Sequence, residues 1–252
     1  MNPSGPYPLL PNAPIVEAVV DWRAKLAPGL DLAKLKDAGE QLLSPKYAFL
    51  DELRGFEFGI HQKGSAPPQL SSHELGLQGY RFRTKDELEI ATFKQDGFTF
   101  SRLKPYTRWE QVFSEAERLW KIYTSAAGAE EVSRIALRYI NRILLPLPIA
   151  DFGRYLTAPP AIPPGAPQDM TSFLFRGVLL DPQSGVTTNF TQVVEGRPEG
   201  ASLPFILDID AYIMKAMNPD SPEVISSFGL LREMKNRVFF ASLTEQTIEM
   251  FK

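Results

Sequence analysis

The sequence predicts an α+β protein made of two similar halves, each an antiparallel sheet with a short helix and a long helix packed on one face. Runs of alternating apolar and polar residues recur along the chain, which is typical of strands with one buried side. Two long segments instead repeat apolar residues every three or four positions, which indicates amphipathic helices. One of these segments closes each half of the 252-residue chain.

The first half begins with a strand and a short helix. Residues 15–23 alternate and place Val20 and Trp22 on one face. Asp31 is a suitable N-cap for a helix that ends by Pro45, because its carboxylate can accept a hydrogen bond from the first turn. Strands are predicted next at 56–61, 79–84, 88–94 and 98–103, joined by turns at 64–68, at 85–86 and at Asp96-Gly97, a tight-hairpin signal.

The first half ends with the most strongly patterned helix. Thr107 with Glu110 three residues later predicts a capping box at its start. Its apolar face includes Trp109, Phe113 and Trp120, and Gly128 ends it.

The second half repeats this order. A strand at 133–145 leads to a short helix at 151–156 and a proline-rich loop at 158–169. Ser221 as N-cap and Pro222 in the first turn predict a long helix. The remaining predicted elements are strands at 173–180, 186–195 and 203–213 and a tail helix at 245–251 that Thr244 caps.

The element order divides the chain at Gly128 into halves 1–128 and 129–252. This order resembles the helix-grip folds, including the paired halves of the TATA-binding-protein type. The resemblance implies two intimately packed halves, joined edge to edge in one continuous sheet. Internal duplication is a hypothesis that rests on element order and equal length.

Composition excludes several classes of function. The chain has no cysteine, which removes disulfides, thiolate metal sites and cysteine nucleophiles. The formal net charge is −3 with mixed signs, so no overall field attracts nucleic acid or an anionic membrane. No basic-then-apolar leader and no membrane-spanning run is present, and we expect a cytoplasmic protein with no membrane partner and no cofactor.

Four short runs carry a resemblance to a known family. They are NAPIVEA at 12–18, LRYIN at 137–141, LDID at 207–210 and FASLT at 240–244. In combination they resemble a sporadically distributed family of uncharacterised bacterial proteins over nearly the whole chain. The patchy distribution implies a role in an accessory bacterial system, and the resemblance implies no particular activity.

Arginines and aspartates form rows on two predicted strands. Alternation puts Arg138 and Arg142 on one face of 133–145, whereas Asn141 faces the other side. Asp208 and Asp210 share a face of 203–213. The rows predict an anion site, a metal or acid–base pair, or a purely structural salt-bridge network across neighbouring strands.

A second pattern interleaves basic and aromatic residues, as single-stranded nucleic-acid platforms do. Its cations are Arg81, Arg83, Lys94 and Arg102. Alternation places Tyr80 on the face opposite Arg81 and Arg83, which favours a buried aromatic core over an exposed platform.

Catalytic signatures are sparse. His61 and His73 are the only histidines, and neither has a metal-helix or triad spacing, so no catalytic or metal-ligating residue is assigned. Phosphate-binding glycine motifs are also missing.

Three functions follow, in order of preference. The first is a non-catalytic binding module whose partner is an unknown protein or small ligand, held by Arg138, Asn141, Arg142, Asp208 and Asp210. A nucleic-acid-binding saddle or basic strip is the second function. The third is a metal-dependent enzyme that uses the paired aspartates. The sequence does not determine the oligomeric state.

Overall fold

The computed structural model describes residues 7–61, 69–194 and 196–252. Its strands are β1 (Ile15–Leu26), β2 (Tyr47–His61), β3 (Gln69–Thr84), β4 (Glu89–Lys94), β5 (Gly97–Leu103), β6 (Ala129–Pro146), β7 (Phe173–Leu180), β8 (Thr187–Val194) and β9 (Ser202–Met217). Its helices are α1 (Leu32–Leu42), α2 (Trp109–Ala127), α3 (Pro222–Ser242) and α4 (Glu245–Glu249), with a 3₁₀ turn at Phe152–Arg154.

All of these strands belong to one antiparallel sheet in the order β2-β3-β4-β5-β1-β6-β9-β8-β7. The predicted α+β class is therefore confirmed. The strands of each half lie together, and the halves join where β1 pairs with β6, with Val20 opposite Leu137. Gly128 ends α2 in the left-handed region, with φ of 62°, at the predicted boundary between the halves. Duplication as the origin of the halves stays a prediction.

The core lies between one face of the sheet and the helices. Trp22 on β1 is fully buried, and its ring stacks on Trp120 of α2 with centroids 5.2 Å apart. Phe228 of α3 contacts the same ring at 4.8 Å. The long helices of both halves thus meet on the central strand, as their apolar stripes require.

The short helix α1 covers the outer strands of the first half. Asp31 caps it, accepting a hydrogen bond of 3.0 Å from the backbone N–H of Ala33, as predicted. Gly39 lies directly against the buried ring of Phe82, since a Cβ at this position would be 2.0 Å from the ring carbon Cζ. Glycine thus allows α1 to approach the sheet closely.

Several predicted details are wrong. Thr107 and Glu110 do not form a capping box, because α2 begins one residue later than that box requires, with Arg108 at the N-cap position and no side-chain cap. The predicted short helix at 151–156 is only the 3₁₀ turn. None of the helices in the described ranges combines the length and apolar composition needed to cross a membrane.

The hairpin of β2 and β3 is longer than its apolar pattern indicates. Alternation predicts strands only at 56–61 and 79–84, yet pairing runs from Tyr47 opposite Thr84 to His61 opposite Gln69. The added part carries polar residues on both faces, so hydrophobic alternation could not reveal it. The predicted turn at 64–68 lies outside the described residues.

Candidate functional site

The sheet face opposite the helices carries the predicted rows of arginine and aspartate. Arg138 on β6 lies beside Asp208 on β9, and its Nε and Nη2 donate to the two carboxylate oxygens at 2.9 and 2.6 Å. Such two-point pairs are the strongest arginine–carboxylate contacts. Hydrogen bonding to Asp208 raises the pKa of Arg138 above its usual range, so the guanidinium stays charged.

A second set of contacts extends this network toward β1. Arg134 donates to Asp210 at 3.1 Å and to Asp21 at 3.3 Å. Asn189 on β8 also donates to Asp210 at 3.1 Å. Arginines therefore engage both predicted binding aspartates, and this geometry matches the structural salt-bridge network.

The other two predicted binding residues lie apart from these pairs. Arg142 forms an ion pair with Glu199, just before β9. Asn141 lies on the helix side of β6, only 2% exposed, and donates to the Leu207 carbonyl at 3.0 Å. The structure therefore does not bring Asn141 and Arg138 together, because neighbouring strand residues point to opposite faces.

The cations of the alternative nucleic-acid strip also have partners. Arg81 donates to Asp51 through hydrogen bonds of 2.7 and 2.6 Å, and Arg83 lies 3.0 Å from Glu87. The interleaved aromatic side chains are buried, as the core interpretation predicts; they are Tyr80, Phe82, Phe98 and Phe100.

The remaining two cations of the strip lie on different faces of the sheet. Lys94 is nearly buried on the open face and donates to Asp21 at 2.9 Å. Arg102 is opposite Ala18 on the helix side and lies 3.1 Å from Glu89. A strip split between two faces and neutralised by carboxylates does not favour phosphate binding.

The metal-enzyme hypothesis finds little support in this geometry. The described residues contain no group of three histidine, aspartate or glutamate side chains that could hold a metal ion. His73 is an exposed residue of β3. The side chain of His61 lies outside the described set.

An open groove in the second half is a candidate ligand site. It lies between α3, the helix-side faces of β7 and β8, and residues 157–161, and its volume is about 690 Å³. Its walls are mainly apolar, with Phe175 and Leu179 from β7, Phe190 from β8 and Val238 from α3. Volumes of this size are typical of small-molecule sites.

The groove exists because the second half lacks a counterpart of α1. In the first half, α1 packs on β2, β3 and β4. The corresponding connection between β6 and β7 contains only the 3₁₀ turn and a proline-rich segment. Phe152 of this turn packs edge-on against Phe173 at 5.4 Å, so the turn covers the start of β7 and leaves the rest open.

The groove contains a buried amide with no partner. Gln192 on β8 is 2% exposed and lines the groove, yet its side chain makes no hydrogen bond with any described residue. Thr188, four residues earlier on the same face of β8, is fully buried, and its hydroxyl lacks a hydrogen-bond partner among the described residues. Gln192 lines the groove and Thr188 does not, so the Gln192 amide is the group that a ligand in the groove can reach.

A neutralised ion pair lies at the rim of the groove. Arg237 of α3 donates to Asp181 at 2.8 Å, and Ser184 donates to the same carboxylate at 2.8 Å. The hydrogen bond from Arg237, followed by that from Ser184, lowers the pKa of Asp181. The groove lining therefore offers no unpaired charge.

Lys235 is a further unusual residue, outside the groove lining. Its ammonium lies 4.0 Å from the centre of the Tyr139 ring and has no hydrogen bond or ion pair with a described residue. Burial, together with the nearby charge of Arg232, lowers the pKa of Lys235 to about 7. The Tyr139 hydroxyl is itself occupied by Tyr106 at 2.9 Å. Lys235 is thus a partly exposed amine against an aromatic ring, without a counter-ion among the described residues, and it is mostly charged only below about pH 7.

The sequence contains a signal for Gln192 that lies outside the charged rows. The helix-side positions of the predicted strand 186–195 are mostly apolar, and Thr188 and Gln192 interrupt them.

Comparison with models of known protein families and with curated proteins finds no match to this sequence. The resemblance to the sporadic bacterial family therefore stays a prediction.

Proposed function

We propose that this protein is a non-catalytic binding module that holds a small amphipathic molecule in the groove between α3, β7 and β8. The observation that supports it is the unpartnered, buried Gln192 amide in an otherwise apolar groove of about 690 Å³. Binding sites typically combine apolar walls with a few polar groups that fix orientation.

The lining defines the chemistry of the ligand. Phe175, Leu179 and Phe190 offer contact area to an apolar body. The Gln192 amide both donates and accepts hydrogen bonds, so it suits a carbonyl, amide or hydroxyl group. Because Arg237 and Asp181 neutralise each other, an uncharged ligand fits better than an anion or a cation.

A neutral fluorescent probe tests this proposal. N-phenyl-1-naphthylamine has an apolar body and one N–H donor, and we expect saturable binding with increased emission. Ala241 of α3 lines the groove, so Ala241→Trp fills it and should abolish binding. Gln192→Leu removes the hydrogen bond and should weaken binding about tenfold, equivalent to about 1.4 kcal/mol.

The matched control is Leu230→Trp, an exposed position on the same helix outside the groove lining. This variant should bind the probe like the unaltered protein. Native mass spectrometry of gently purified protein should then show a small-molecule adduct that Ala241→Trp loses. Equal probe binding by Ala241→Trp and the unaltered protein would overturn the groove as the site.

A further inference from the structure

The outer edge of β7 is an unpaired and apolar sheet edge. β7 is the last strand of the sheet, and no backbone hydrogen bond joins its outer edge to another described segment. Exposed edges of this kind present free N–H and C=O groups to other strands. Its large side chains are exposed on both faces, at 72% for Leu174, 62% for Val178, 67% for Leu180, 45% for Phe175 and 41% for Leu179.

The opposite edge of the sheet is protected in the usual way. There β2 carries Asp51, Glu52, Arg54 and Glu57, and charged side chains along an edge oppose strand addition. β7 has one charged residue, Arg176, in its eight positions. The two edges of one sheet therefore differ in their ability to accept another strand.

We propose that β7 pairs antiparallel with β7 of a second copy of this chain, around a two-fold axis at Gly177. A two-fold axis normal to the sheet keeps each residue on its own face, so paired positions differ by an even number. An axis at Arg176 would oppose two guanidinium groups directly. An axis at Val178 would place Leu174 opposite Pro182, which has no N–H to donate.

The axis at Gly177 produces complementary pairs on both faces. On the open face, Leu174 lies opposite Leu180 of the second copy, and Arg176 lies opposite its Val178. On the groove face, Phe175 lies opposite Leu179. These are the same side chains that β7 exposes as a monomer, so the pairing covers them and supplies the missing backbone hydrogen bonds.

This pairing also affects the groove, although it does not depend on the proposed ligand. Phe175 and Leu179 line the groove beside the free edge of β7. In the dimer, the same residues of the second copy extend that wall, so two grooves lie side by side across the axis. Dimerisation is thus measurable without ligand, and its failure leaves the groove proposal standing.

Sedimentation velocity over a wide concentration range tests the interface. We expect the unaltered protein to shift from monomer to dimer as concentration rises. Val178→Lys places an ammonium opposite Arg176 of the second copy, twice per dimer, and should raise the dissociation constant at least about tenfold. Val178→Glu, the matched control, places a carboxylate there and should preserve or tighten the dimer.

A charge reversal sharpens the register. Combining Val178→Lys with Arg176→Glu restores opposite charges across the axis, and we expect the dimer to return. Val178 and Arg176 are exposed, so folding should be unchanged by circular dichroism. A monomer at every concentration, or equal weakening by Val178→Lys and Val178→Glu, would overturn the proposal.

Discussion

The two halves of the sheet share an antiparallel plan but differ in how their outer strands are covered. In the first half, α1 packs over β2, β3 and β4, and Gly39 allows contact with the Phe82 ring. In the second half, a 3₁₀ turn and a proline-rich segment replace that helix, and the helix-side faces of β7 and β8 line an open groove. The shared strands thus provide the scaffold, and the missing helix provides space for a ligand.

Each half contains a buried polar atom without a hydrogen-bond partner among the described residues, the Trp22 indole N–H in the first and the Thr188 hydroxyl in the second, and the contrast lies in particular side chains. Lys94 of the first half is nearly buried but has Asp21 and Thr99 as partners at 2.9 and 2.6 Å. Lys235 and Gln192 of the second half have neither a salt bridge nor a hydrogen bond with a described residue. A protein retains such unmet groups at a cost in stability, which is commonly a sign of function.

The lysines should give the largest difference between the halves. Lys94→Met leaves the Asp21 carboxylate short of a partner in a largely buried position, and we expect a loss of about 2–4 kcal/mol in the free energy of unfolding. Lys235→Met removes a cation that has no counter-ion, and we expect a gain of about 1 kcal/mol below pH 7. Urea denaturation measures both, and a larger loss for Lys235→Met than for Lys94→Met would contradict the comparison.

The pH dependence of Lys235→Met provides a second measurement. The pKa of Lys235 is about 7 in the folded chain against 10.5 for an ordinary lysine. Between these values the unfolded chain binds the proton and the folded chain does not, so the stability of the unaltered protein rises with pH there. The advantage of the methionine variant should therefore shrink between about pH 7 and about pH 10.5. An advantage that grows with pH would show that Lys235 is not held in its neutral form.

Gly39→Val tests whether close helix cover stabilises the first half. The added side chain meets the buried Phe82 ring, and overpacking of this kind costs about 1–3 kcal/mol. Gly229→Val, on α3 with no heavy atom within 4 Å of the added Cβ, is the control and should lose only helix propensity. Equal melting temperatures for the two variants would show that α1 does not press on the sheet.

Replacing the two buried amides should give the smallest changes in the free energy of unfolding. Asn141 and Gln192 are each 2% exposed, but only Asn141 has hydrogen-bond partners. We expect Asn141→Leu to lose about 1–2 kcal/mol and Gln192→Leu to lose nothing or gain slightly, since no bond is broken. Chemical denaturation of both variants without added ligand decides this, and a comparable loss for Gln192→Leu would reveal a structural role.

Much of the fold could be predicted from the sequence because alternation and caps are local signals. The strand at 173–180 and the caps Asp31 and Ser221 match the structure. Thr107 is not the N-cap because α2 begins one residue later. The position at which the chain turns from β5 into α2 sets that start, and the capping pattern does not record it. The short helix at 151–156 failed because a few apolar residues are enough for a 3₁₀ turn as well as for a helix.

The candidate site was harder to predict for a physical reason. Arg138 and Asp208 form conspicuous rows, but opposite charges on adjacent strands neutralise each other once the strands pair. The groove exists where the second half lacks a helix equivalent to α1. Gln192 is notable only because its side chain has no hydrogen-bond partner among the described residues. Absence of a partner is a tertiary property that one-dimensional spacing does not record.

The central pairing of β1 with β6 has a consequence for synthesis on the ribosome. β1 emerges early, and β5 can pair with one of its edges, but the other edge waits for β6, roughly a hundred residues behind it. At elongation rates of about 5–20 residues per second, that interval lasts roughly 5–20 seconds. During this time the nascent chain displays an unpaired strand at what will become the middle of the sheet. Another nascent chain could pair with this free strand edge before β6 is made. The yield of folded protein would therefore depend on chaperones that cover the edge during this time.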